Sequence, residues 1–461
     1  MTIAKYRKQF QIDGKKTFDR VLAEAKKKNL TNPAVLRRED HYVESRQEEQ
    51  FSKPLQLPIV IKDNILLEGT ISSCGSKMLE GYIAPYSATV VHKLEDAGAL
   101  IIGKATMDEF AFGTTGENSP YTIPHNPYGS DRVTGGTSSG SAVAVASGMV
   151  PVALGTDTGG SIRLPASFCN IVGIKPTYGS LSRYGVQASA SSFDQVGIMA
   201  TNVKDARQIF EIVQGHDERD ATTNTYPLRQ DLRPIKGLRI GLPKQYFAQG
   251  LDPQIKDAVF AIVDKLVAQG AIAVELDIPL FDTGVAVYYT LQPAEASSNM
   301  ARFDGMKFGH QNDTHESVHH HDYISQVRQE FGDEVLRRIL LGAHILSASE
   351  YEGLYVKAMT IRTTVTEQFV QHFEQDVDVI VGPVSPVLPW KLSKNDDPLA
   401  LYLADMYTVI ANITGMPAMS IPIGFYDGDE KLPILQLMNH YSEYQLFDVA
   451  QAVEKLVIEN K

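Results

Sequence analysis

Cysteine is almost missing from this 461-residue sequence, with only Cys74 and Cys169, far apart along the chain. Two such residues make neither a disulfide framework nor a cysteine metal site; they suit a reducing compartment and predict two buried thiols. Long hydrophobic runs are missing too. No stretch approaches the roughly 18 uninterrupted apolar residues of a membrane span. The opening MTIAKYRKQFQIDGKK lacks the apolar stretch of a secretory signal, so a soluble, non-secreted chain is expected. Lys5, Arg7 and Lys8, with no acid before Asp13, give a faint likeness to an organelle-targeting end, but arginine is sparse there and serine absent. Cations are in deficit: 43 Lys and Arg face 55 Asp and Glu, and the net charge of −12 repels phosphate backbones and anionic lipid. Charged residues make up only 21%, too few for a disordered chain, while 43% apolar residues are ample for a buried core.

What is present is an alternation of strands and helices. Ile59 to Ile61 make a short apolar strand, Thr89 to Ala97 carry helical spacing, and Ala99 to Ile102 make a second strand. A Gly/Ser-rich loop at 134 to 141, a helix of small residues to Gly148, the apolar run Val150 to Leu154 and a glycine-rich turn at 155 to 160 follow. Helices are expected over 203 to 213, 255 to 266, 348 to 374 and 446 to 456, and strands near 238 to 242, 271 to 278, 379 to 381 and 419 to 423. Residues 305 to 330, polar and histidine-rich without periodicity, read as a surface excursion. Length alone allows about three domains. The absence of repeats or low-complexity linkers favours one α/β domain over residues 55–461, preceded by a helical segment, 1–54, read as a lid or appendage.

Four chemistries compete. Gly98 to Lys104 has phosphate-loop spacing, but its middle is the apolar strand Ala99 to Ile102, and Ala105 replaces the magnesium-binding hydroxyl. His315 to His319 fits H-E-x-x-H, yet its flanks, QNDT and HHDYIS, have no apolar face to bury a zinc-bearing helix. Gly136 to Gly140 fits G-x-S-x-G, but turn formers precede it where a hydrolase elbow needs a strand. The fourth reads the glycine-rich segments together. Lys62 emerges from the apolar strand, where desolvation can keep an amine partly neutral as a base. Ser161 follows two glycines in GTDTGGSIRLPA, whose backbone N–H groups can converge on an oxyanion, and Thr137 lies in the first loop. Singly, each residue is ordinary surface or turn; their joint occurrence points to nucleophilic catalysis.

The segments VIKDN at 60 to 64, GGTSSGSAVAVASG at 135 to 148 and GTDTGGSIRLPASFCNIVGIKPTYG at 155 to 179 resemble, in order, the signature of the amidase-signature family. Further segments, among them ATMDEFAFGTTGENS at 105 to 119 and DPLALYLADMYTVIANITGMPA at 397 to 418, resemble the branch that supplies ammonia within tRNA-dependent amidotransferases. The likeness runs from about residue 55 onward and implies a mixed, twisted central sheet with helices on both faces. It also implies a triad of Ser161 as nucleophile, Lys62 as base and a bridging hydroxyl at residue 137. There the family has a serine at a cis peptide, and this sequence has Thr137.

The roles then imply that Ser161 attacks the side-chain amide of glutamine while N–H groups of Thr158, Gly159 and Gly160 hold the oxyanion. By the same likeness Arg362 pairs with the glutamine carboxylate and Asp405 with its ammonium. The resemblance implies no metal and no cofactor on this chain, a tRNA-binding B subunit that uses ATP and magnesium, a small C-type subunit, and contact with tRNA only through the complex. It implies a bacterial cytoplasmic location, with the mitochondrial matrix as the alternative. A free-standing amidase acting on another small amide is the competing function.

Overall fold

The apolar segment expected at 59 to 61 seeds the sheet. In the computed structural model, which describes residues 1–223, 232–307, 309–311, 319–393, 404–424, 434–439 and 441–458, it becomes β2 (Leu57–Lys62), buried at every residue. Continuous apolar sequence marks a strand covered on both faces. β2 runs parallel to β3 (Ala99–Ala105) on one side and to β4 (Val152–Asp157) on the other. β1 (Val35–Arg38) closes that edge antiparallel to β3.

Past β4 the pairing turns antiparallel through β6 (Gln195–Ala200), β5 (Val172–Lys175), β10 (Ala418–Pro422), β11 (Ile434–Met438) and β9 (Val379–Pro383). β7 (Arg239–Pro243) and β8 (Ile272–Leu276) finish the far edge, parallel again. The described residues thus build one mixed sheet of eleven strands in the order 1-3-2-4-6-5-10-11-9-7-8.

Residues 1–54 supply α1 (Ile3–Asp13), α2 (Lys15–Thr31), β1 and α3 (Asp40–Phe51). Tyr6, Phe10, Phe18 and Val21 of this segment are buried in the same core as β2 and β4, and Phe10 and Phe18 meet Phe51 edge to face. Flanking the sheet are α4 (Thr89–Ala97), α5 (Ser139–Ala146), α6 (Arg163–Phe168), α7 (Val203–Val213) and α8 (Pro253–Ala268). On α7 the buried residues Val203, Ala206, Ile209, Phe210 and Val213 are the set its helical period picks out.

A second core joins α9 (Gly284–Met300) and α12 (Lys357–Gln375) to α13 (Val409–Ile413) through Tyr288, Phe369 and Ile410. The supposed surface excursion at 305 to 330 contains α10 (His320–Val327), because Val327 packs with Phe303 and Phe331. α11 (Asp333–Ile345) follows, and α14 (Glu443–Ile458) lies against β10. His315 to Val318 lie outside the described residues, and His319 is exposed. Cys74 and Cys169 are free and buried. No helix among the described residues is long and apolar enough to cross a membrane.

Candidate active site

β2 and β4 are parallel neighbours, with Ile61 opposite Leu154, so their carboxyl ends emerge side by side. This is where the sheet changes from parallel to antiparallel pairing, and in open α/β sheets the crevice outside such strand ends is where ligands bind. Lys62 closes β2, and the two glycine-rich loops meet over it, one leading into α5 and the other from β4 into α6. Lys62 is wholly buried, and its Nζ donates to Thr137 Oγ1 at 2.7 Å and to Thr156 Oγ1 at 2.9 Å. Thr156 Oγ1 also accepts from Asn64 Nδ2 at 3.1 Å. Ser138 Oγ donates to the Thr156 carbonyl at 3.0 Å, which ties the first loop to β4. Burial pushes the Lys62 amine down to about 8, against the opposing pull of Cys74, Asp108, Asp194 and Asp157. About a tenth of it is then neutral at pH 7.

Ser161 is the partly exposed member of the group, and its Oγ accepts from the Thr137 N–H at 3.3 Å. Lys62, Thr137 and Ser161 therefore come together from three segments. The link between the two hydroxyls is not formed in this geometry. No peptide bond among the described residues is cis, so the cis link implied at residue 137 is absent. Gly135 and Gly136 make the turn instead, both at positive φ.

Of the three N–H groups expected to face an oxyanion, that of Gly160 is turned away and donates to Asp157 Oδ1 at 2.9 Å. Thr158 and Gly159 remain. Thr158 Oγ1 donates to the buried Asp194 at 2.8 Å, and the Gly159 carbonyl accepts from Thr408 Oγ1 at 2.7 Å. A side chain at Gly159 would run into the ring of Tyr288. Beneath the loop, Asp157 and Arg163 form a fully buried pair: Arg163 Nη2 lies 3.0 Å from Oδ1 and Nε 3.0 Å from Oδ2. Arg163 continues to the Thr408 carbonyl, Asn412 and Gln436. Burial pulls the Asp157 carboxyl upward, but Arg163 and Asn412 outweigh it and hold the group at about 2.

Arg362, on α12, turns inward. It donates to the Ile413 carbonyl at 3.0 Å and to the Ser192 hydroxyl and carbonyl at 2.8 and 3.0 Å, and it stacks over Phe193. Guanidinium has five N–H groups, so two are left for an anion. Asp405 is buried and accepts from Thr114 Oγ1 at 3.0 Å and Tyr289 Oη at 2.9 Å. Both partners are neutral, and burial pushes its carboxyl up to about 7. Phe193, Tyr288 and Tyr289 stand edge to face in succession between the two charged residues, with Tyr288 against Gly159. Arg362 and Asp405 thus stand at opposite ends of one row of rings whose middle member, Tyr288, meets the loop that carries Ser161. No group of three His, Cys, Asp or Glu among the described residues can hold a metal ion.

Residues 17–446 match the family model described as Amidase. The chain belongs to the amidase family. Among curated relatives, this amidase is 46% identical over 408 residues to the second glutamyl-tRNA(Gln) amidotransferase A subunit of Clostridium acetobutylicum, covering 87% of this chain and 84% of that one. It is 45% identical over 410 residues to the glutamyl-tRNA(Gln) amidotransferase A subunit of Pseudomonas aeruginosa, with the same coverage. Among solved structures, the A subunit of the same name from Thermotoga maritima superposes with a TM-score of 0.74 at 38% identity, covering 87% and 83% of the two chains. An allophanate hydrolase of Kluyveromyces lactis superposes with a TM-score of 0.84 at 25% identity, over 99% and 72%.

Sequence reasoning passed over Thr156, Asn64, the Asp157–Arg163 pair, Tyr288 and Tyr289. Three of them were within reach: Thr156, Asp157 and Arg163 stand inside GTDTGGSIR, where any polar residue between an apolar strand and a buried helix must have a partner.

Proposed function

We propose that this amidase is the glutamine-hydrolysing component of a tRNA-dependent amidotransferase, supplying the ammonia that converts Glu-tRNA(Gln), or Asp-tRNA(Asn), to the amidated form. What carries the chemistry is the buried Lys62 amine hydrogen-bonded to Thr137 beside Ser161. Likeness to the named A subunits supports glutamine as the amide.

Lys62 acts in its neutral form. Thr156 holds one of its N–H groups, which leaves the nitrogen lone pair for the Thr137 hydroxyl. The relay requires Ser161 Oγ to turn from the Thr137 N–H, from which it accepts at 3.3 Å, to Thr137 Oγ1. As Ser161 Oγ bonds to the amide carbon of glutamine, its proton passes to Thr137, whose own proton passes to Lys62. N–H groups of Thr158 and Gly159 face the oxyanion. Lys62 returns the proton to the leaving nitrogen, the C–N bond breaks, ammonia departs, and water then hydrolyses the glutamyl ester. Arg362 takes the substrate carboxylate and Asp405 its ammonium.

The partners in this reading are a B subunit, which binds tRNA and uses ATP and magnesium, and a small C-type subunit. This chain needs no cofactor of its own. Bacterial cytoplasm is the location that its relatives support, the mitochondrial matrix being the alternative. Purification from the native source tests the reading: B and C subunits co-elute, and the complex amidates mischarged tRNA at the expense of glutamine. A lone chain that hydrolyses varied amides and neglects glutamine would replace it with the free-standing amidase.

A further inference from the structure

Charge is strongly segregated in this chain. Residues 1–38 hold eleven Lys and Arg against three acids, while the remainder holds 32 against 52. Much of the positive part lies on the exposed faces of the first two helices. α1 and α2 turn Tyr6, Phe10, Phe18 and Val21 into the core and leave Lys5, Lys8, Lys16, Arg20 and Lys27 exposed. On α2 the positions 16, 20 and 27 follow helical spacing, so those three lie along one stripe about 16 Å long. Acids on the two helices do not neutralise it, since Asp19 is paired with Lys15 and Asp13 accepts from Gln9, which leaves Glu24; on the neighbouring α3, Glu44 lies beside His41 and Glu49 pairs with Lys53, which leaves Glu48 exposed. None of the five exposed cations has a carboxylate partner among the described residues.

An ordinary soluble surface intersperses the two signs; a single-sign patch on a chain of opposite net charge acts as a steering site. With a Debye length of about 8 Å at physiological salt, the acidic body does not cancel it locally. A membrane is a poor match, because the apolar faces of both helices are already buried and only Ile12 and Leu30 are left exposed there. We infer that the α1–α2 surface is a docking site for the phosphate backbone of tRNA, so that this chain touches the nucleic acid directly. This rests on the amidotransferase reading for the identity of the polyanion.

The test is binding of a fluorescent tRNA transcript to the full-length protein between 50 and 200 mM salt, with glutamine hydrolysis followed in parallel. The expected wild-type result is a log–log salt slope near about −4, as five phosphate contacts give. The five-site variant K5E/K8E/K16E/R20E/K27E loses at least about thirtyfold in affinity and most of that slope, and hydrolyses glutamine like wild type. The matching five-site Gln variant falls between, which separates charge from misfolding, and K204E/K256E, at exposed lysines elsewhere, binds like wild type. The inference is overturned if wild type does not bind, if the five-site variants bind equally well, or if K204E/K256E loses as much. Binding to phosphatidylglycerol vesicles in preference to tRNA also overturns it. Glutamine hydrolysis without tRNA binding removes the docking site and leaves the function standing, whereas tRNA binding without glutamine hydrolysis does the reverse.

Discussion

Lowering the pH should slow this enzyme in two separable ways, because two buried groups in the site titrate near neutrality for the same physical reason with opposite sense. Burial disfavours charge, so it lowers the Lys62 amine to about 8 and raises the Asp405 carboxyl to about 7. The proposed mechanism needs Lys62 neutral for catalysis and Asp405 ionised to bind the substrate ammonium. Once glutamine is bound, its ammonium holds Asp405 ionised, so kcat reports Lys62 alone while kcat/KM reports both. From pH 7 to pH 6 the neutral fraction of Lys62 falls about ninefold, and the ionised fraction of Asp405 about fivefold. Expected, therefore, is a drop of about ninefold in kcat and about fiftyfold in kcat/KM. Asp108 and Asp194 ionise over the same range, at about 7 and about 6, and each favours the Lys62 cation, so they broaden the limb without reversing it. Steady-state hydrolysis of glutamine in buffers of constant ionic strength from pH 6 to 8 gives both profiles. In Asp405→Asn, KM rises at every pH and the drop in kcat/KM shrinks toward that of kcat. A kcat that is flat from pH 6 to 8 would refute Lys62 as the titrating base; equal slopes in the two wild-type profiles would remove Asp405 from substrate recognition.

Ser161→Ala should lose all glutaminase activity with an unchanged Tm, since it removes the nucleophile and little volume; substantial turnover by the folded variant rules that role out. Lys62→Arg should be as inactive as Lys62→Ala, because guanidinium does not deprotonate, and an active Arg form would make Lys62 an electrostatic residue. Thr137→Ser should keep or raise activity and Thr137→Val should lose about two to four orders of magnitude, the size of a general acid–base contribution, as kcat measures directly. Equal threonine and valine forms would mean that residue 137 relays nothing. Asp157→Asn should cost about 3–5 kcal/mol in urea unfolding at pH 7, because Arg163 stays buried without its counter-charge. Asp157 has its carboxyl lowered in the fold, so its contribution is full above the ordinary carboxyl range and lost as pH falls through about 2; the gap between wild type and variant should close between about pH 4 and 2.

Legibility followed periodicity. β2, β3, α4, α7, α8 and α14 lie close to where the sequence put them, since each buries one stripe or one continuous apolar run. α9 escaped because it is buried on several sides at once and carries Pro293 inside, so no stripe stands out. β5 and β6 escaped because they are short and each is interrupted by a glycine, so neither stands out as an apolar run. In the candidate site, Lys62 was legible as a polar residue ending an apolar strand, and Thr137 and Ser161 from the two glycine-rich loops. Arg362 was not: its inward turn depends on Ser192, Phe193 and Ile413, which the helix pattern of 357–375 does not reveal.

The same long-range contacts explain why the site needs the late part of the chain. The nucleophile loop cannot hold its own shape, for the Gly159 carbonyl and the Asp157 carboxylate are buried polar groups that neighbours in sequence satisfy only in part. Thr408, at the start of α13, supplies the partner of the Gly159 carbonyl and Asn412, on α13, one for Asp157, both about 250 residues away in sequence, while Gln436 of β11 accepts from Arg163. Thr408 stands three residues after Asp405, and its N–H donates to the Asp405 carbonyl at 3.0 Å. The turn that positions the proposed ammonium partner is therefore the turn that props the catalytic loop. In the proposed mechanism substrate recognition and attack are therefore built on one unit, so a shift in either moves the other, and the Asp157–Arg163 pair at its base is where stability and the proposed catalysis meet.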